Sequence, residues 1–204
     1  MNTEISGSTY YNGYIAQQHR DVFKVFTDFL SEIKPARILE IGTSNGGFIF
    51  FIRQLMNKIG LGSSEIISYD IYERPWYNEL RNKNIQIRID NLFDSDYCNL
   101  QYPEKIESFI KREGTTLVLC DGGRKISEFN AIAPLIKKGD FIMAHDYVDT
   151  QENYLNNFQN KIWNWCEIEE KDINKISNEY ELLHYKKEIF DKVVWVCKQK
   201  VINP

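Results

Sequence analysis

Along this chain apolar residues recur at two spacings, and the alternation between them divides most of the sequence into elements. From Asp21 to Ile33 the apolar residues Phe23, Phe26, Leu30 and Ile33 follow helical spacing and Pro35 punctuates the end, which predicts a helix leading into a core. Ala36 to Ile41 reads as a short buried strand and Gly42 to Gly47 as a loop. Phe48 to Met56 then reads as a helix with Phe48, Phe51, Ile52 and Leu55 on one face, ended by Gly60 and Gly62. Strands follow at Glu65 to Asp70 and, with strict alternation, at Ile85 to Asp90, separated by a polar stretch holding Pro75 and Trp76. Helical spacing returns in Ile106, Phe109 and Ile110. The nearly all-apolar run Thr116 to Cys120 then predicts a strand covered on both faces, running into Asp121.

Ile126, Phe129, Ile132, Ala133 and Ile136 predict a further helix, interrupted at Pro134, before Lys137-Lys138-Gly139-Asp140 turns into a strand at Phe141 to Ala144. Beyond Gln151 the pattern weakens to a helix through Tyr154, Phe158 and Trp163 and a last strand at Val193 to Val196. Strands separated by helices predict an α/β fold, a doubly wound and mainly parallel sheet with helices on both faces. We expect one domain over residues 1–204: a helical lead-in (1–34), a ligand-binding core (36–147) and a variable, substrate-facing segment with the last strands (148–204).

Composition narrows the function. A formal net charge of -4 argues against a protein that covers nucleic-acid phosphates, which takes clustered Lys and Arg, and favours a small-molecule substrate. The N-terminus lacks a basic start followed by an apolar stretch, and no run reaches membrane-spanning length, so the expectation is a cytoplasmic protein with neither nucleic-acid nor membrane partners. A homo-oligomer is allowed. Cys98, Cys120, Cys166 and Cys197 are scattered, with no metal-type spacing, as reduced thiols would be.

In an open α/β sheet, ligands bind beyond the carboxyl ends of the strands, where strand order reverses, so the first strand-loop-helix is the place to look. The loop reads Glu40-Ile41-Gly42-Thr43-Ser44-Asn45-Gly46-Gly47. Its glycines permit a tight turn and close backbone approach. The spacing is not the Gly-x-Gly-x-x-Gly that seats a pyrophosphate, and no phosphate-binding Gly-Lys-Ser/Thr is present, so the expected ligand lacks phosphate. Glu40 at the first strand end suits a cationic portion of that ligand, and Asp70 at the second is placed for ribose hydroxyls. The fourth and fifth strands end in Asp121-Gly122 and His145-Asp146, which brings two carboxylates to the same edge. Such a pair suits a hard divalent cation such as Mg²⁺.

These residues resemble the class I S-adenosylmethionine-dependent methyltransferases, whose first motif has the same acidic-x-Gly-x-x-x-Gly form. Lys34 to Thr43, Leu119 to Gly122 and Leu135 to Asp146 are similar to one branch, the cephalosporin hydroxylase and rhamnosyl or sugar O-methyltransferase group; the likeness covers roughly residues 11–147. It implies a Rossmann-like, mostly parallel seven-stranded sheet with an antiparallel C-terminal strand. It also implies S-adenosylmethionine held by Glu40, Gly42, Thr43, Ser44, Asn45, Gly46, Gly47, Asp70, Ile71, Asp90, Asn91, Leu92 and Asp121.

The implied reaction is methylation of a hydroxyl on a small metabolite or sugar, with a divalent cation on Asp121, Asp146 and His145. The alternatives are methylation of a small amine, or a module that binds the cofactor without catalysis. The branch often carries a His three residues after its Asp, where this chain has Arg124. That leaves His145 as first candidate for the general base and Lys125 as second, if desolvation lowers its pKa, beside Asp121. Tyr10, Tyr11, Tyr14, Trp76 and Tyr147 are aromatic candidates for a substrate wall, whereas Trp163, Trp165 and Trp195 read as core.

Overall fold

The computed structural model describes residues 9–201. It opens with a hairpin of two-residue strands, β1 (Tyr10–Tyr11) and β2 (Tyr14–Ile15), turned through Asn12 and Gly13, both at positive φ. Helix α1 (Val22–Ile33) follows, then β3 (Arg37–Ile41), α2 (Gly47–Lys58), β4 (Glu65–Asp70), α3 (Tyr77–Arg81), β5 (Gln86–Ile89), α4 (Pro103–Ile110), β6 (Thr116–Cys120), α5 (Lys125–Ile132) and β7 (Phe141–His145). The C-terminal part carries the short α6 (Gln151–Asn153), a π-helical turn (Tyr154–Phe158), α7 (Glu170–Glu179), β8 (Leu182–His184), α8 (Lys187–Phe190) and β9 (Trp195–Lys200).

Seven strands form one sheet in the order β5-β4-β3-β6-β7-β9-β8. The first five pair in parallel, and β9 runs antiparallel to both β7 and β8. Alternation along the strands splits the core in two. Ile38, Ile66, Leu117, Leu119 and Met143 pack with α1 and α2, while Leu39, Ile67, Val118, Ile142 and Val196 face α4, α5 and α7. Strands β3, β6 and β7 are buried at every position, the consequence of being covered on both sides.

From β3 the chain moves one way to β4 and later returns to the other side as β6, so strand order reverses between β3 and β6. Their carboxyl ends are Ile41 and Cys120, which are register partners, and the next residues are Gly42 and Asp121. Gly42 has φ +96°, and a Cβ on it would lie 2.3 Å from the Asp121 carbonyl oxygen, so no other residue fits there.

Several expectations need adjusting. The interruption at Pro134 is a 3₁₀ turn (Ala133–Leu135) that ends α5 early, and Ile126 is 37% exposed rather than core. The expected helix through Trp163 stops at Phe158, and the last strand starts at Trp195, because Val194 takes a left-handed conformation. Strand β8, the N-terminal hairpin and helix α7 had no counterpart in the hydrophobic pattern. No helix among the described residues is long and apolar enough to cross a membrane.

Candidate active site

Two adjoining clefts lie at the carboxyl edge of the sheet, sharing Gly42, Ser44 and Asp121. The first, of about 320 Å³, is lined by Asp70, Ile71, Asp90, Asn91, Leu92 and Tyr97 among others. Asp70 is fixed by the loop it faces. Its Oδ2 accepts the Ser44 amide at 2.7 Å and lies 2.9 Å from the Tyr77 hydroxyl, while Oδ1 accepts the Tyr72 amide at 3.0 Å. The Tyr77 hydroxyl is also 2.7 Å from the Ser44 carbonyl, so the turn after β3 and the acid after β4 are one unit. A carboxylate beside a half-apolar slot of this size fits a nucleoside, with the acid on ribose and Ile71, Leu92 and Tyr97 against a flat ring.

Glu40 reaches the second cleft, of about 220 Å³, from within the sheet. It is 2% exposed, accepts a hydrogen bond from the Ser68 hydroxyl, and burial pushes its pKa well above the usual carboxylate range. Thr43, Asn45 and Gly46 line the same cleft. Gly47 lines neither: a Cβ there would meet the Ile15 carbonyl at 2.6 Å, so this glycine lets the hairpin sit on the start of α2. With that one exception, the residues expected to hold the cofactor line one cleft or the other.

At the far side of the second cleft the ends of β6 and β7 assemble a charged cluster. His145 Nδ1 lies 2.9 Å from Asp121 Oδ1 and 3.6 Å from Asp146 Oδ1, and its ring stacks on Trp195 at 4.9 Å between centroids. Its Nε2 is buried with no partner among the described residues. Gln18, fully buried, donates to Asp121 Oδ2 at 2.6 Å and accepts from Trp195 Nε1 at 2.8 Å. Asp146 adopts φ +56° at the strand end, a strained conformation for a non-glycine residue, held by Trp163 Nε1 donating to Oδ1 at 2.6 Å and by the Glu167 amide on its carbonyl at 2.9 Å. Lys125 Nζ closes the cluster with contacts to Asp146 Oδ2 (2.9 Å), Glu167 Oε2 (2.8 Å) and the Gly122 carbonyl (2.9 Å).

The pKa shifts sort the candidate bases. Burial alone would lower the Lys125 pKa, but Asp121, Asp146 and Glu167 outweigh it and raise it, the opposite of the shift that would make the lysine a general base. Burial also works against a charged His145, and again Asp146 and Asp121 prevail and raise its pKa. His145 Nδ1 faces Asp121, and its Nε2 is buried. Asp121, with its side chain 15% exposed and lining both clefts, is the open acid of the three.

One ligand atom from each of Asp121, His145 and Asp146 falls within 4.8 Å of the others, close enough to share a cation. Two carboxylates with His145 Nδ1 beside both fit a divalent ion, and the imidazole widens the choice from Mg²⁺ towards Mn²⁺.

The aromatic wall differs from expectation. Tyr11 and Tyr14 pack on Phe50 of α2, Trp76 donates to the Asn45 carbonyl, Tyr147 is buried with its hydroxyl on Glu170, and Tyr10 is 62% exposed. None of the five lines either cleft; Trp163 and the half-exposed Trp165 do, because the turn after the π-helical segment folds back over Asp146. Glu167, Gln17 and Glu128 also line the clefts. They lie in stretches with no motif, and only their proximity in the fold marks them. Arg124, at the position where the family branch often carries a histidine, faces the first cleft with its guanidinium over the Tyr97 ring, 5.0 Å from the centroid.

No curated protein sequence matches the chain. Among solved structures, CmcI in its apo form superposes with a TM-score of 0.65 over 95% of this chain and 76% of that one, at 15% identity. CmcI with Mg and S-adenosylmethionine gives 0.57 over 94% and 76%, also at 15% identity. The MycE methyltransferase of the mycinamycin biosynthetic pathway, in complex with Mg, S-adenosylhomocysteine and mycinamycin VI, gives 0.50 over 88% and 48% at 15% identity. At such identities these likenesses establish the fold, a Rossmann-like methyltransferase sheet. The sequence profile of the rhamnosyl O-methyltransferase/CmcI family matches residues 4–200, well beyond the stretch where the motifs alone are legible. The chain belongs to the rhamnosyl O-methyltransferase/CmcI family.

Proposed function

We propose that the protein transfers a methyl group from S-adenosylmethionine to a hydroxyl oxygen of a small acceptor, a sugar or another small metabolite. The observation that carries this reading is the shared wall of Gly42, Ser44 and Asp121, which joins a nucleoside-sized cleft gripped by Asp70 to a second cleft floored by the acidic cluster. The CmcI and MycE structures, solved with S-adenosylmethionine or its demethylated product, support it. Held by the residues of the two clefts, S-adenosylmethionine would supply an activated methyl group for the acceptor oxygen, with its sulfur as the leaving atom.

The chain's own part is orientation, desolvation and the removal of one proton. Asp121 stands where the clefts meet, and His145 and Gln18 fix its carboxylate from behind. In this reading the acceptor proton passes to an Asp121 carboxylate oxygen, and His145 is a positioning residue. Trp165 gives the acceptor a flat apolar surface and Glu167 a hydrogen-bond acceptor, which makes the segment from residue 148 onward the substrate-facing part. Asp121, Asp146 and His145 would hold a divalent cation, whose contribution there is to lower the pKa of the acceptor hydroxyl.

Turnover with a labelled methyl donor over a panel of sugar hydroxyls, other alcohols and amines tests the proposal. Asp146 lines only the second cleft, so Asp146→Ala is expected to cut transfer about 100-fold or more while leaving cofactor affinity within about threefold. Methylation of amines alone, or full turnover by the variant, contradicts it.

A further inference from the structure

We propose that Lys125 is a built-in counter-cation that competes with a divalent ion for Asp146, so that the ion binds only as the lysine releases that carboxylate. The proposal takes the cation seat from the functional reading above and adds what controls it. Lys125 opens α5, directly after the Asp121-Gly122-Gly123-Arg124 turn, and its side chain is 5% exposed. An ammonium has three donors, and the three contacts at 2.8–2.9 Å, to Asp146 Oδ2, Glu167 Oε2 and the Gly122 carbonyl, use all of them.

Of these three acceptors, only Asp146 belongs to the trio that can hold an ion. Its Oδ1 accepts from Trp163 Nε1 at 2.6 Å and lies 3.6 Å from His145 Nδ1, so an ion reaching the trio through Oδ1 must share one carboxylate with the ammonium on Oδ2 or displace it. Sharing would press a dication against an ammonium in a cleft shielded from water, where like charges repel strongly. Displacement is cheaper, because Glu167 and the Gly122 carbonyl remain as partners and the lysine is not left buried and unpaired. Without the ion, the same lysine neutralises a carboxylate held in a strained left-handed turn and so keeps the acceptor cleft assembled.

The test is a calorimetric titration of Mn²⁺ into the full chain, comparing the native protein with Lys125→Met and Lys125→Arg, each first shown to be folded by its thermal transition. Removal of the competing charge is expected to tighten Mn²⁺ binding about tenfold or more in Lys125→Met, whereas Lys125→Arg stays at or below the native affinity. Equal or weaker binding by Lys125→Met overturns the proposal. Should that variant fail to fold, a crystal of the native protein soaked in Mn²⁺ decides. An ion on Asp146 with Lys125 Nζ withdrawn towards Glu167 supports the proposal. An ion with the Lys125–Asp146 contact intact, or no ion at the trio, refutes it. A parallel titration with S-adenosylhomocysteine keeps failure of the methyl-transfer reading separate, since Mn²⁺ binding requires no cofactor.

Discussion

At the scale of single residues, positions forced by geometry could be read from the sequence, and those set by side-chain partners could not. Gly42 is the clearest of the first kind. With φ +96° and the Asp121 carbonyl where a Cβ would go, Gly42→Ala is expected to cost about 1–3 kcal/mol in unfolding free energy and to abolish cofactor binding, as chemical denaturation and calorimetry will show. Asp70, Asp121 and Asp146 were equally legible, because acids at the ends of parallel strands must emerge at one edge. The behaviour of Lys125 was not. Its state follows from Asp146, more than twenty positions on, and from Glu167, which no motif marks. Glu128 is a second residue known only through its surroundings. Burial pushes its pKa up to about 7 despite hydrogen bonds from the Gly122 and Arg124 amides. Between its ordinary value of 4.5 and about 7 the folded protein keeps a proton that the unfolded chain gives up. The stability this group contributes is therefore full below the lower value and is lost as pH rises through the upper one. Unfolding measured across this range should show that decline in the native protein and a flatter profile in Glu128→Gln.

At the scale of elements, the central strands announced themselves through unbroken apolar runs, and their boundaries moved by only a residue or two. The edge strand β8 did not, since only the first of its three residues is buried and no alternation can show in so short a piece. The hairpin before α1 carries an Asn12-Gly13 turn signal, but its strands are too short for a periodicity to frame it. Helix α7 is polar on most of its surface and is defined by a capping box between Glu169 and Asp172 rather than by hydrophobic spacing. The turn into β7 was legible and turns out to be an anchor. Fully buried Asp140 accepts the Thr116 amide at 2.7 Å and binds Lys137 Nζ at 2.7 Å, joining β6 to the start of its neighbour. Asp140→Ala strips a buried amide and an ammonium of their acceptor together and is expected to cost about 3 kcal/mol, read as a lowered denaturation midpoint with the cofactor cleft unchanged in affinity.

At the scale of the whole molecule, the strand order places the reversal between β3 and β6, and the clefts form at the ends of those two strands and of their neighbours β4 and β7. The family match extends across the C-terminal segment, yet that segment carries the least legible part of the site, because Trp163, Trp165 and Glu167 reach the cleft through a loop fold rather than a periodic element. Gln18, from the start of the chain, and Trp195, from its last strand, meet behind Asp121, so both ends of the fold hold the catalytic edge in place. The cleft gripped by Asp70 is expected to take an adenosyl sulfonium compound. Calorimetric titration of S-adenosylhomocysteine into the native protein and into Asp70→Ala tests it most directly. Saturable one-to-one binding is expected, weakening about tenfold or more in the variant. No binding to the native protein, or equal binding by both, contradicts it.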